Sequence, residues 1–165
     1  MPAEIKKSTR HSKIAGDFGE GLVLYWLSKF GFECAKIDHT GIDLIARNPH
    51  NNEVMGISVK SRTRPDGKET ESVTIPGDDF QKLEVACCAF HCSPYFAIVV
   101  DAKGMIKVFI ISEPHLLEIS PKKSGCYWKM SRSHLERYAD DPQVMTFELQ
   151  AKHGRWWEAP QPAKA

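Results

Sequence analysis

The stretch "GIDLIARNPHNNEVMGISVKSR", residues 41–62, decides how the chain is read. Two apolar runs, IDLIAR (42–47) and VMGISVKSR (54–62), flank the turn formers of NPHNN, which predicts two neighbouring strands joined by a polar turn. Side chains alternate across a strand, so Asp43 and Ile45 point one way and Ile42, Leu44 and Ala46 the other. On the neighbouring strand Ser58 and Lys60 share a face, while Ile57 and Val59 take the opposite one. If the faces align, Asp43 and Lys60 project to the same side at the strand ends. Taken alone, that pair reads equally well as an exposed salt bridge, which is common and weak.

Working outward, FECAKID (32–38) adds a third strand before the motif, so the three predict a meander, and SVTIP (72–76) offers a fourth. Upstream, residues 12–30 carry apolar side chains at helical spacing. Ile14, Phe18, Leu22 and Tyr25 mark one stripe, and Val23, Leu24 and Leu27 an adjoining one, with Gly31 suited to a left-handed stop. Downstream, residues 78–92 predict a helix capped by Asp78 or Asp79. Strands follow at 95–101, apolar enough to be central in a sheet, and at 105–112. A short helical turn at EPHLLEI, a basic aromatic loop PKKSGCYWKMSR (121–132), a helix near 132–139 and a strand at 144–149 complete the domain. This order predicts an α/β fold with a mixed sheet: a basic arm over residues 1–11, one domain over 12–150 and a tail over 151–165.

The 165 residues suffice for one domain with its own core. Lysine and arginine number 22 against 21 acids, so net charge announces no polyanion partner and a nucleic-acid surface requires local clustering. No apolar run approaches the roughly 20 residues that span a bilayer, and no secretory segment follows the charged start. Five cysteines, an odd number, suggest reduced thiols and a cytoplasmic setting.

Glu20 interrupts the apolar and small residues of the first helix, inside GDFGEG, where glycines cost a helix roughly 1 kcal/mol each and permit close backbone approach. A carboxylate aimed at a core needs a partner, for which Lys60 or a bound cation serves; the bland alternative is a helix-edge Glu that reaches water. The succession GEGLVLYWLSKFGFE, GIDLIAR, GISVKSR resembles the core of the PD-(D/E)xK nuclease superfamily, the restriction-endonuclease-like fold, and is similar to archaeal Holliday-junction resolvases and small resolvase-like proteins. The resemblance covers roughly residues 12–112. It implies a restriction-endonuclease-like core, a mixed central sheet flanked by helices, and matches Glu20 to the helix acid, Asp43 to the strand acid and Lys60 to the motif lysine. Ser58 departs from it, standing where the family carries Glu, Asp or sometimes Gln.

The activity implied is metal-assisted cleavage of DNA phosphodiesters, of branched or repair type, with Mg or Mn as cofactor. The resemblance makes Asp43 the main ligand, Glu20 a direct or water-mediated one and the Val59 carbonyl a third, while Lys60 orients water or offsets charge on the phosphate. Ser58 offers only a neutral hydroxyl, which weakens metal binding and favours the rival reading, a nuclease-fold module that binds nucleic acid or a protein without cleaving. A third reading takes all these polar residues as structural. Of the acids that could substitute for the missing one, Glu53 lies about 17 Å from Ser58 along the strand, whereas Glu69 and Glu71 lie beyond its end.

DNA contacts are expected from Arg62, Arg64 and Lys68 after the motif strand, and from Lys123, Lys129 and Trp128 in the basic loop, which also carries Lys122, Arg132 and Tyr127. Tyr127 and Trp128 equally suit anchoring that loop in the core. In ACCAFHC, Cys87 and His91 are i,i+4, as are Cys88 and Cys92; a zinc site there competes with plain buried thiols. Trp156 and Trp157 are expected to pin the tail to the domain or to a second copy in a homodimer.

Overall fold

The computed structural model describes residues 6–152; Trp156 and Trp157 lie outside them. Helix α1 (His11–Lys29) leads into strands β1 (Glu33–His39), β2 (Ile42–Arg47) and β3 (Val54–Arg64). Strand β4 (Val73–Pro76) and helix α2 (Gly77–Phe90) precede strands β5 (Ser93–Ala102) and β6 (Met105–Ser112). Helix α3 (Glu113–Ile119), strand β7 (Gly125–Trp128), helix α4 (Arg132–Asp140) and strand β8 (Val144–Gln150) complete the order. The principal sheet runs β1-β2-β3-β5-β6-β8, and β4 pairs with β7 in a two-stranded ribbon. The expected meander is present: β1, β2 and β3 are successive antiparallel neighbours. The sheet is mixed because β3 and β5 pair in parallel while β5, β6 and β8 are antiparallel. As its unbroken apolar run predicts, β5 is central.

Two cores sandwich this sheet. Leu22, Val23 and Leu27 of α1 pack against Leu44, Ile57, Val99 and Val108 on one face. On the other, Phe80 and Leu83 of α2, Leu116 of α3, Trp128 of β7 and Tyr138 of α4 pack against Phe96, Ile98 and Phe109. Trp26 stacks on Phe147 with ring centroids 4.1 Å apart, tying α1 to β8.

Three sequence expectations need correction. Ile14, Phe18 and Tyr25 were expected to face the core, but all three are about half exposed or more, and the buried face of α1 is Gly19, Leu22, Val23 and Leu27. The cause is the close approach at Gly19, where an added Cβ would stand 1.9 Å from Ser61 Oγ and 3.2 Å from its Cβ, so a side chain there would have to displace the serine hydroxyl. Gly16 and Gly21 face open space. Second, α2 has Pro76 at its cap position, with no side-chain cap bond, and Asp78 and Asp79 lie in the first turn instead. Third, part of the basic loop is the strand β7, and its Trp128 is fully buried, stacked on Tyr138 with centroids 3.8 Å apart, so it is a core residue rather than a base-stacking one. The left-handed stop at Gly31 is as expected, with φ +87°.

The close approach at Gly19 has a measurable consequence. Gly19→Ala should destabilise by about 1–3 kcal/mol through overpacking, whereas Gly16→Ala and Gly21→Ala should stabilise by up to about 1 kcal/mol through helix propensity. Ser61→Ala moves the nearest obstacle back to the Cβ at 3.2 Å, so urea unfolding of the double variant should recover most of the Gly19→Ala loss.

A second concerns pH. Burial first, and then the hydrogen-bonded neighbour Glu84, push the Glu113 carboxyl from 4.5 up to about 7. The unfolded chain therefore releases this proton earlier than the native one, and stability should fall as pH rises from about 4.5 to about 7. Glu113→Gln should flatten that decline, measured as urea midpoints on either side of the window.

Candidate active site at the edge of α1 and β3

The β2–β3 ladder runs from Arg47↔Val54 to Leu44↔Ile57 and stops there. Ile42 departs from the expected alternation, because it packs in the α2-side core while Leu44 and Ala46 pack in the α1-side core. Its Cγ2 sits 3.2 Å from the point a Cβ on Gly56 would occupy, so the absence of a side chain at Gly56 admits it. The β1–β2 register also shifts here, between Lys36 and His39. Asp43 lies at this break. Its Oδ2 accepts the Val59 N–H at 2.6 Å, so the carboxylate serves a β3 donor lying beyond the last paired residues of the ladder. The Val59 contact with Asp43 is thus made by its N–H and not by its carbonyl.

Glu20 reaches the same edge from α1. It is paired with Lys36 of β1, Nζ to Oε2 at 2.8 Å, and its side chain is 19% exposed. Of the two partners expected from sequence, Lys60 or a bound cation, the ammonium of Lys60 is bound instead to Asp79 Oδ2 at 2.8 Å, in the first turn of α2. Asp79 is therefore a site neighbour that sequence reasoning mistook for a cap. Burial pushes the Asp43 carboxyl above its ordinary range and the charge on Glu20 adds to this; the Val59 N–H, Lys60 and Lys36 oppose it. The two acids are thus electrostatic neighbours, with Lys36 and Lys60 close enough to act on Asp43. Ser58 is buried, 4% exposed, and pairs in register with Phe96 of β5.

The alternative acids lie elsewhere. Glu53 accepts the Tyr95 hydroxyl at the far end of β3. Glu69 accepts the Gly67 N–H within its own turn, and Glu71 is shared by Arg64 at 3.4 Å and Lys68 at 3.3 Å. Arg62 donates to the carbonyls of Ser61 and Thr74, and Arg64 to that of Ser72, so both arginines also hold β4 in place. Lys123 and Lys129 are exposed and form no ion pair among the described residues.

The i,i+4 pairing of cysteines and histidine is also corrected. Cys87 and Cys92 converge instead, each sulfur 2.6 Å from where a Cβ on Gly56 would stand, while Cys88 is exposed and His91 closes α2 in a left-handed conformation with φ 52°. Burial and the neighbouring Cys92 push the Cys87 thiol up to about 12, so it stays neutral. Among the described residues no group of three or more His, Cys, Asp and Glu is arranged to hold a metal.

A helix, an antiparallel meander and a parallel step onto a second antiparallel run, with helices on both faces, make a nuclease-like α/β fold. A solved relative in shape is a Holliday junction resolvase from the archaeal hyperthermophile Archaeoglobus fulgidus. It matches with a TM-score of 0.52 and 17% identity, over 74% of this chain and 88% of the resolvase chain. No protein-family model matches the chain, and no curated protein does. No described helix is long and apolar enough to cross a membrane.

The hold on Asp43 can be measured. Asp43→Ala strands the Val59 N–H and should cost about 1–3 kcal/mol, whereas Asp43→Asn retains an acceptor oxygen and should cost less. Because the folded-state acid is raised, wild-type stability should decline as pH rises above the ordinary aspartate range, and Asp43→Asn should lessen that decline in urea unfolding.

Proposed function

We propose that the chain is a divalent-ion-dependent nuclease acting on phosphodiester bonds of DNA, with Glu20, Asp43 and Lys60 at its centre. The observation that carries this reading is the approach of Glu20 to Asp43. Glu20 is paired with Lys36, which lies opposite Leu44 next to Asp43. Burial first, then the charge on Glu20, raises the proton affinity of Asp43, so a cation there is favoured. Their hard oxygens suit Mg or Mn. Two protein carboxylates are enough for an ion that keeps several of its waters, which is compatible with the lack of a three-residue cage among the described residues. When bound, the ion supplies Lewis-acid polarisation of the scissile phosphate and acidifies a water.

The chain's own residues have separable roles. The Val59 N–H fixes one oxygen of Asp43 and leaves the other for the cation. Lys36 holds Glu20 at the edge until a stronger counter-charge arrives. Lys60, released from Asp79, offsets charge that grows on the phosphate. Lys123 and Lys129 are the basic residues best suited to contact the DNA backbone. The named activity of the A. fulgidus protein favours branched DNA as the substrate. Free thiols at all five cysteines fit a cytoplasmic protein, and a homodimer is compatible with this function.

Ser58 favours a second reading, a nuclease-fold module that binds DNA or a partner without cleaving it. A carboxylate at this buried position would need a cation to be tolerated, and the hydroxyl needs none. One experiment separates the two. Calorimetric Mg and Mn titrations of wild type, Asp43→Ala, Lys60→Ala and Ser58→Glu are run beside cleavage of junction, flap and duplex DNA. The nuclease reading expects ion-dependent cleavage by wild type, at least about a hundredfold loss in Asp43→Ala and Lys60→Ala, and tighter ion binding by Ser58→Glu. Folded wild type that neither binds the ion nor cleaves, while still binding DNA, establishes the second reading.

A further inference from the structure

We propose that the cavity between α3, β7 and α4 binds a nucleoside phosphate, its phosphate held by Lys129, His134 and Arg137 and its ring laid against Tyr127. The cavity has a volume of about 670 Å³, within the range of roughly 300–1,000 Å³ typical of small-ligand sites. It lies in the layer opposite α1, away from Glu20 and Asp43, and the inference does not rest on the nuclease reading.

The chemistry of the ligand follows from how the lining charges are partnered. Two acids, Glu118 and Asp141, face the cavity, and both are engaged by one imidazole: His115 Nδ1 lies 2.9 Å from Glu118 and Nε2 lies 2.7 Å from Asp141. Asp141 first, and then Glu118, raise the proton affinity of His115, which favours a positive charge between the two acids. The bases have no such partners. Among the described residues neither Lys129 nor Arg137 forms an ion pair, whereas the neighbouring Arg132 is bound to Glu136 at 2.9 Å. Lys129 and Arg137 are close enough to His134 that their charges, after burial, lower its proton affinity. Two cations, Lys129 and Arg137, therefore line one cavity with the imidazole of His134, whose Nδ1 lies 2.6 Å from Ser131 Oγ, an arrangement that an anion would stabilise.

An aromatic component is suggested by the wall. Tyr127 is 44% exposed although it belongs to a strand whose neighbours Cys126 and Trp128 are fully buried. Its backbone is fixed, since Ser120 Oγ accepts its N–H and donates to its carbonyl, both at 3.2 Å. The buried ring of Tyr138 forms another part of the lining, stacked on Trp128. A preformed aromatic surface beside clustered cations suits a planar ring attached to a phosphate. The ribbon also connects this cavity to the basic end of β3: Tyr127 pairs with Thr74, whose carbonyl accepts from Arg62. The nucleoside phosphate can therefore be a free mononucleotide or the phosphorylated end of a strand.

The test is calorimetric titration of the full chain with dAMP, deoxyadenosine, inorganic phosphate, and oligothymidylates carrying a terminal phosphate or hydroxyl. Wild type should bind dAMP at least about tenfold more tightly than either fragment. Lys129→Ala and Arg137→Ala should each weaken dAMP by about tenfold, and Tyr127→Ala by about fivefold or more with phosphate affinity unchanged. Asp43→Ala should bind dAMP as wild type does, which separates this site from the nuclease centre. Tighter binding of the phosphorylated oligonucleotide than of dAMP identifies a strand end as the natural ligand; equal binding identifies the free nucleotide. The proposal is overturned if dAMP and the phosphorylated oligonucleotide both fail to bind at millimolar concentration, if inorganic phosphate binds as tightly as dAMP, or if folded Lys129→Ala and Arg137→Ala bind unchanged.

Discussion

The contact of Gly19 with Ser61 governs how the rest of the α1 layer is arranged. With no side chain at 19, the helix settles onto β3, and a Cβ there would meet Ser61 Oγ at 1.9 Å. Successive helix positions are turned by about 100°, so once Gly19 faces the sheet its neighbours' directions are determined. Val23 and Leu27, one and two turns on, point into the core and are almost fully buried. Glu20, one position on, is turned to the edge, where it meets Lys36 and the field of Asp43. Ile14, Phe18 and Tyr25 face outward for the same reason. A helix lifted by one methyl would lose core contact and carry Glu20 away from Asp43 together.

Asp43 is the counterpart on the sheet. Strand pairing normally satisfies a backbone donor with a backbone acceptor, but the β2–β3 ladder stops at Ile57, before Val59. The aspartate supplies the acceptor from its side chain, so a residue of the candidate site also completes the hydrogen bonding of β3. The local slip that makes this possible depends on Gly56, which leaves room for Ile42 on one strand and for the sulfurs of Cys87 and Cys92 from α2. Site geometry and core packing are therefore not separable here: the small residue under α2 is part of what presents Asp43.

Much of this was legible in the sequence where the signal is local. Turn formers and alternation located β1, β2 and β3, and the unbroken apolar run of β5 announced a central strand. Glu20 and Asp43 stood out because each interrupts an apolar pattern. The rotation of α1 was not legible, since Ile14, Phe18 and Tyr25 are as apolar as the set that is buried; only the glycine distinguishes the faces. Strand β7 was hidden because it is four residues long and pairs with β4 from far along the chain. The period-two pattern of Cys126, Tyr127 and Trp128 was its one trace. The partners of the site's lysines were also out of reach. Asp79 has the residue type and position of a helix cap, and nothing local says that it reaches Lys60 instead.

Around the site the charges alternate, and under the proposed function this alternation would couple the binding of a cation to that of a phosphate. Lys36 neutralises Glu20, and Asp79 neutralises Lys60, while Asp43 forms no ion pair among the described residues and is held by a neutral N–H. A cation alone would have to displace Lys36 from Glu20, and a phosphate alone would have to displace Lys60 from Asp79. Arriving together, they supply each other's counter-charge, so each reduces the electrostatic cost of binding the other. The released groups are not wasted either, because Lys36 and Lys60 are both attracted to an incoming phosphate. The Ser58 hydroxyl adds no charge of its own at this buried position. Under the proposed function a carboxylate there would draw a cation in without nucleic acid, whereas the neutral side chain would make ion binding depend on the phosphate that accompanies it.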